Sequence, residues 1–187
     1  GCMPSKTLLY VAELLHKAKY GDRFGLDIPS AQPDMKRVAE RKRRIIGEFA
    51  DYRLRQINSG KYDVHRSFAH FVSPNEIELS DGAHLTADRF LIGTGSVVSV
   101  PPIPGLRESK AWTSDDILDL DFVPESVIVL GGGIVAAELT QYLGRMGSNI
   151  TLSQRSPQIL RHHSPEAAQV IETALRERSA EIEEALA

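Results

Sequence analysis

Apolar residues at Leu8, Val11, Ala12 and Leu15 recur at the i, i+3, i+4, i+7 spacing, which predicts a helix over residues 4–19 with one buried stripe. Gly21, Gly25 and Pro29 interrupt this pattern. Met35, Val38, Ala39, Ile45, Ile46, Phe49 and Tyr52 then restore a helical period, predicting a longer and more polar helix that runs to about Ser59. From Lys61 to Ile92 the period shortens. Pieces at Val64 to Val72, Ile77 to Leu79 and His84 to Thr86, with Asp81-Gly82 as a turn, predict a small antiparallel meander. Arg89-Phe90-Leu91-Ile92 reads as one more short strand, ending in Gly93-Thr94-Gly95-Ser96, where small residues allow a ligand or another backbone to approach. Pro101, Pro102, Pro104 and Gly105 then form a stiff connection, the candidate domain boundary.

The last third changes character. An apolar strand over Ser126-Val127-Ile128-Val129-Leu130, a triple glycine, a helix from about Val135 to Met146 stopped by Gly147, and a strand from Asn149 to Ser153 make one βαβ unit. Ser164 before Pro165 starts a further helix that should reach about Arg178. A doubly wound sheet needs both faces covered and its strands paired. With so few strands, Val127, Val129, Ile150 and Leu152 are expected to be short of partners, and the chain to be marginal or self-associating.

Composition narrows the function. The 187 residues hold 22 Lys+Arg against 25 Asp+Glu, a formal charge of −3 that gives no electrostatic reason to expect nucleic acid or an anionic membrane as partner. The basic run Lys36, Arg37, Arg41, Lys42, Arg43 and Arg44 shares its helix with Glu40 and Glu48 and lacks interleaved aromatics for base stacking, so it reads as a solvated face. No apolar run approaches a membrane span, which predicts a soluble chain. Without a charged-then-apolar start, the cytoplasm is the expected location. The single cysteine, Cys2, excludes an internal disulfide framework and a thiolate-built zinc site. No metal site is expected.

Gly131-Gly132-Gly133-Ile134-Val135-Ala136 fits G-x-G-x-x-A between a buried strand and a helix, the context that a dinucleotide fingerprint requires. Gly131 permits the tight turn, Gly133 lets a pyrophosphate reach the backbone, Ala136 lets helix and strand approach, and the helix N-terminus at Ile134 and Val135 attracts the anion. A ligand-free glycine turn is the alternative. An NAD site would carry an acid at the end of the second strand to bind the ribose. Here Ser153-Gln154-Arg155 stands in that place and Arg161 follows, so two guanidinium groups could clamp a 2′-phosphate. That favours NADPH over NADH, unless both arginines are solvated loop residues. The opening Gly1-Cys2-Met3-Pro4-Ser5-Lys6-Thr7-Leu8-Leu9 places a cysteine at a helix N-terminus, where the helix dipole favours the nucleophilic thiolate.

That opening segment resembles the active-site segment of the flavoprotein disulfide reductases, the group of dihydrolipoamide dehydrogenase, glutathione reductase and mercuric reductase. The order of pieces is similar too: the cysteine segment, two helices, a meander, Gly93-Thr94-Gly95-Ser96, Thr113-Ser114-Asp115-Asp116, then the fingerprint. The resemblance implies an α/β chain, with a partial FAD-binding domain (residues 1–105, two helices plus a small antiparallel meander) followed by a partial Rossmann-type NAD(P)-binding domain (residues 106–187). It implies that Cys2 is the flavin-facing second cysteine of a C-x-x-x-x-C pair and that Lys6 lies near the flavin and pairs with Glu138. Ser5, Thr94 and Gly95 would approach FAD. Ile134 would be an aliphatic counterpart of glutathione reductase's tyrosine gate, and Arg155 and Arg161 match that enzyme's 2′-phosphate arginines in spacing. The implied activity passes electrons from NADPH through FAD to a cysteine pair, and on to a small-molecule or protein disulfide, a dithiol or a metal ion. The implied parent is a homodimer serving cell redox homeostasis. The family's first redox cysteine, its N-terminal FAD fingerprint and its C-terminal His-Glu pair are not in the sequence, and none of His16, His65, His70, His84, His162 or His163 sits in a motif to replace that histidine. The chain is therefore expected to be an internal piece of a longer enzyme. The competing reading is a non-catalytic nucleotide-binding or protein-interaction module.

Overall fold

The computed structural model describes residues 1–178 and 181–184. The elements are α1 (Cys2–Lys19), a 3-10 turn (Gly21–Phe24), α2 (Met35–Ile57), β1 (Ala69–Ser73), β2 (Glu76–Leu79), β3 (His84–Thr86), α3 (Ser114–Leu118), β4 (Ser126–Leu130), α4 (Ile134–Met146), β5 (Asn149–Gln154), α5 (Pro165–Arg178) and β6 (Glu181–Glu184). They fall into two compact units, one of residues 1–47 with 102–187 and one of residues 48–101.

In the first unit the helical stripe of α1 is buried as its spacing requires: Leu8, Ala12 and Leu15 join Met35, Ile117, Leu118, Tyr142, Leu143, Met146 and Ile150 in one core. Burial pushes the Tyr142 hydroxyl up to about 12. Strands β4, β5 and β6 form a parallel sheet in chain order, with Ser126 opposite Asn149 and Leu130 opposite Ser153. Parallel neighbours need crossovers, and α4 and α5 supply them. Helix α4 ends where Gly147, at φ 121°, turns the chain and its N–H bonds Leu143 O at 3.0 Å. Helix α5 starts on Ser164, whose Oγ accepts from Ala167 N at 3.3 Å.

The apolar face left without partners differs from the one expected. Ile150 and Leu152 are fully covered and Val127 and Val129 pack against the main core. Ile128 and Leu130 are the exposed residues, at 70% and 49%. Alternation along β4 explains this: α1 and α4 need only one face, and Val127 and Val129 own it. Besides the 3-10 turn, two short elements went unread in the sequence, α3 and β6. Thr113 and Asp116 close a capping box around the start of α3, and the Thr113 N–H and hydroxyl hold the Asp116 carboxyl below its usual range. Lys42 corrects the solvated-face expectation for its helix: it is 5% exposed, donates to Leu118 O at 2.7 Å and pairs with Asp119.

The second unit carries the meander. β2 pairs antiparallel with β1 and β3, bringing Ile77 between Phe71 and Leu85. Gly82, at φ 86°, turns β2 into β3 as Asp81-Gly82 predicts. β1 begins only at Ala69, and Val64 to Phe68 lie outside it. The expected strand at residues 89–92 does not form. Among the described residues no strand pairs with it, Leu91 is 98% exposed, and an apolar run without a ladder to join has no reason to stay regular.

Candidate functional site

Two helices carry most of the chemistry, and they are tied together at two levels. Lys6 on α1 donates to Glu138 on α4, and Arg145 on α4 donates to Glu13 on α1. Each pair spans the same sequence separation of 132 residues, so α1 and α4 run parallel and in register. The same offset from Cys2 arrives at Ile134, the first residue of α4. The cysteine at the head of one helix is therefore level with the fingerprint at the head of the other.

Cys2 is exposed, with Gly1 as its N-cap. Ser5 Oγ donates to Cys2 O at 3.1 Å and Thr7 Oγ1 to Met3 O at 2.9 Å, which pins the first turn by side-chain bonds to backbone. Behind that turn, burial would raise the Glu13 carboxyl, but Arg145 and Lys17 outweigh it and hold the group below its usual value.

The glycine turn has the shape its sequence requires. Gly131 sits at φ 121° and its N–H bonds Ser153 O at 2.8 Å, tying the turn to the end of β5. Gly133 caps α4 in an extended conformation with no side-chain cap bond, and Ile134 and Val135 are 56% and 57% exposed. The first N–H groups of α4 thus face open space with no side chain in their way, which fits a pyrophosphate. Ala136 is half-buried, and its neighbour Ala137, which the motif does not single out, packs in the core with Leu152, Ile159 and Leu175.

Gln154 is buried at the end of β5. Its side chain is 6% exposed and lies so close over Gly132 that a Cβ added there would stand 1.8 Å from Oε1. Gly132 O also accepts from Leu160 N at 2.6 Å. Arg155 and Arg161 are exposed, and Arg161 Nε donates to His162 Nε2 at 3.1 Å. Thr94 and Gly95 belong to the other compact unit, within the exposed stretch 91–100, where Gly95 has φ 77°. Residues the motifs missed are Glu13 with Arg145, Gly132, and Leu160. The seven-residue spacing of opposite charges on both helices was a usable signal for the first pair; the Gly132 contacts arise only when the chain folds back.

Among the described residues no cluster of three or more His, Cys, Asp or Glu could hold a metal, and no helix is long and apolar enough to cross a membrane.

Comparison with known proteins gives the family and the fold. The mercuric reductase of Lysinibacillus sphaericus is 35% identical over 179 residues, covering 95% of this chain and 33% of that protein. The dihydrolipoyl dehydrogenase of Thermus scotoductus is 32% identical over 186 residues, covering 97% of this chain and 39% of that one. The fold matches that of the HOCl-induced flavoprotein disulfide reductase RclA from Escherichia coli, with a TM-score of 0.78 and 23% identity across 98% of this chain and 39% of that one. The chain thus spans between a third and two fifths of the length of these two relatives. The sequence profile of the pyridine nucleotide-disulphide oxidoreductases covers residues 1–184, and with that the register of cysteine helix and fingerprint helix has its family: the chain belongs to the pyridine nucleotide-disulphide oxidoreductases.

Proposed function

We propose that the chain is the part of an FAD-dependent, NADPH-linked disulfide oxidoreductase that holds one redox cysteine and the first half of the nicotinamide-nucleotide site. The carrying observation is the common level of Cys2 and Ile134 at the heads of two parallel, charge-paired helices. Residues 1–105 would contribute to the FAD-binding domain and 106–187 to the NAD(P)-binding domain. When bound, NADPH supplies a hydride and FAD relays the electron pair to a disulfide.

Within that reaction this chain's residues have distinct tasks. Cys2 is the flavin-facing sulfur, released as a thiolate when its disulfide is reduced. Lys6, paired with Glu138, sets a fixed cation one turn from that sulfur. Gly131, Gly133 and the bare N-terminus of α4 hold the pyrophosphate, with Val135 and Ala136 in its first turn. Ile134 gates the nicotinamide pocket, and Arg155 and Arg161 take the 2′-phosphate. Ser5, Thr94 and Gly95 face FAD. The substrate class is a disulfide, a dithiol or a metal ion, the last because relatives of this chain are mercuric reductases. A homodimer working in cytoplasmic redox homeostasis completes the reading.

The test uses the whole protein that contains this chain. It should purify yellow with flavin absorbance, and NADPH should bleach it. Cys2→Ser should still be bleached by NADPH but lose turnover of disulfide or mercuric ion. Undiminished turnover in that variant removes Cys2 from the mechanism, and a colourless protein that does not oxidise NADPH favours a non-catalytic module.

A further inference from the structure

The segment from Gln154 to Arg161 is attached to the glycine turn at both of its ends, and each attachment immediately precedes an arginine. At one end the Gln154 side chain is buried over Gly132, leaving no room for a Cβ there. At the other, Leu160 N donates to Gly132 O at 2.6 Å. Both attachments therefore converge on one residue, Gly132, which G-x-G-x-x-A leaves unspecified. Beside the second attachment Ile159 is fully buried with Ala137, Leu152 and Leu175, which pins that end of the segment to the core. Leu160 takes φ 53°, a left-handed conformation that a leucine adopts only when its surroundings hold it there.

We infer that Gln154 is a positioning residue for nucleotide selectivity: its amide, seated on Gly132, holds the segment that sets Arg155 and Arg161 beside the pyrophosphate turn. The inference rests on the NADPH reading above and goes beyond it. In the motif, position 154 is where an acid would bind ribose directly. Here the side chain is turned down onto the turn, so it acts through its neighbours. Gly132 has no left-handed φ, unlike Gly131, so alanine at position 132 is compatible with the backbone. Its only conflict is with the flexible end of Gln154, which can be displaced while the fold is kept.

The experiment uses the whole protein and two probes, 2′,5′-ADP and 5′-AMP, whose affinity ratio reports the 2′-phosphate contact alone. Gly132→Ala should weaken 2′,5′-ADP by about tenfold and leave 5′-AMP within about twofold, because displacing Gln154 frees Arg155 and spares the pyrophosphate turn. Without any nucleotide, trypsin should cut after Arg155 faster in this variant than in the parent. Because each single change breaks the same contact, Gly132→Ala combined with Gln154→Ala should be no worse than either alone. Equal loss of both probes in Gln154→Ala would mean that Gln154 touches the ribose itself, which overturns the inference, as would additive losses in the double variant. Arg155→Ala with Arg161→Ala keeps the two readings apart: if their removal leaves the probe ratio unchanged, the NADPH reading falls, whereas a ratio that depends on the arginines but ignores Gly132→Ala sinks only the positioning role.

Discussion

On the proposed NADPH reading, position 155 separates the two nicotinamide cofactors by charge. Arg155 is exposed at the end of β5, where a dinucleotide site otherwise presents an acid to the ribose. A carboxylate in its place would repel a 2′-phosphate and lose a charge-assisted hydrogen bond. Arg155→Glu in the whole protein should therefore raise the KM for NADPH about tenfold or more relative to that for NADH. Equal losses for the two cofactors would show that Arg155 is a solvated loop residue. Single residues were unevenly legible in the sequence. Gly131 and Gly133 could be read because the turn that needs them is local. The pairing of Lys6 with Glu138 came only from family resemblance, and the burial of Gln154 over Gly132 had no sequence signal at all. Lys42 was misread for the same reason: its neighbours in sequence are solvated cations, while its partners, Leu118 O and Asp119, come from another element.

Among the elements, those with a long period were readable and those defined by their partners were not. α1, α2, α4, β4 and β5 follow from the spacing of apolar residues, whereas β6 exists by pairing with β5 and the 89–92 run fails as a strand for lack of a neighbour. The contact between α1 and α4 has a measurable pH dependence. In the folded chain the Glu13 carboxyl sits below its value of 4.5 in the absence of structure. Its contribution is therefore complete above that value and is lost as pH falls through the folded one. Glu13 is 37% exposed on its side chain, so after solvent screening the pair is worth only about 0.5 kcal/mol. Glu13→Gln should lower stability by that amount at pH 7, and the difference from the parent should shrink as pH falls below 4.5 in denaturant melts. A difference that persists in acid would mean that packing, and not charge, joins the helices.

At the scale of the molecule, one face of β4 stands open among the described residues. Ile128 and Leu130 are exposed on β4, whose outer edge is unpaired among the described residues, and β4 is the strand from which a doubly wound sheet extends into its second half. Residues 1–187 on their own should therefore associate with rising concentration in sedimentation velocity, and Ile128→Lys should shift them toward monomer. A parent chain that stays monomeric throughout would show that the open face is tolerated. The two charged contacts between α1 and α4 have a further effect, on which arrangements the helices refuse. Each helix carries one acid and one base seven residues apart, in opposite order. Sliding α1 by two turns brings Glu13 against Glu138 or Lys6 against Arg145, and reversing its direction brings both like-charged pairs together. The charges thus work as a key with one orientation and one depth, and what they set is the height of a sulfur atom against the head of α4.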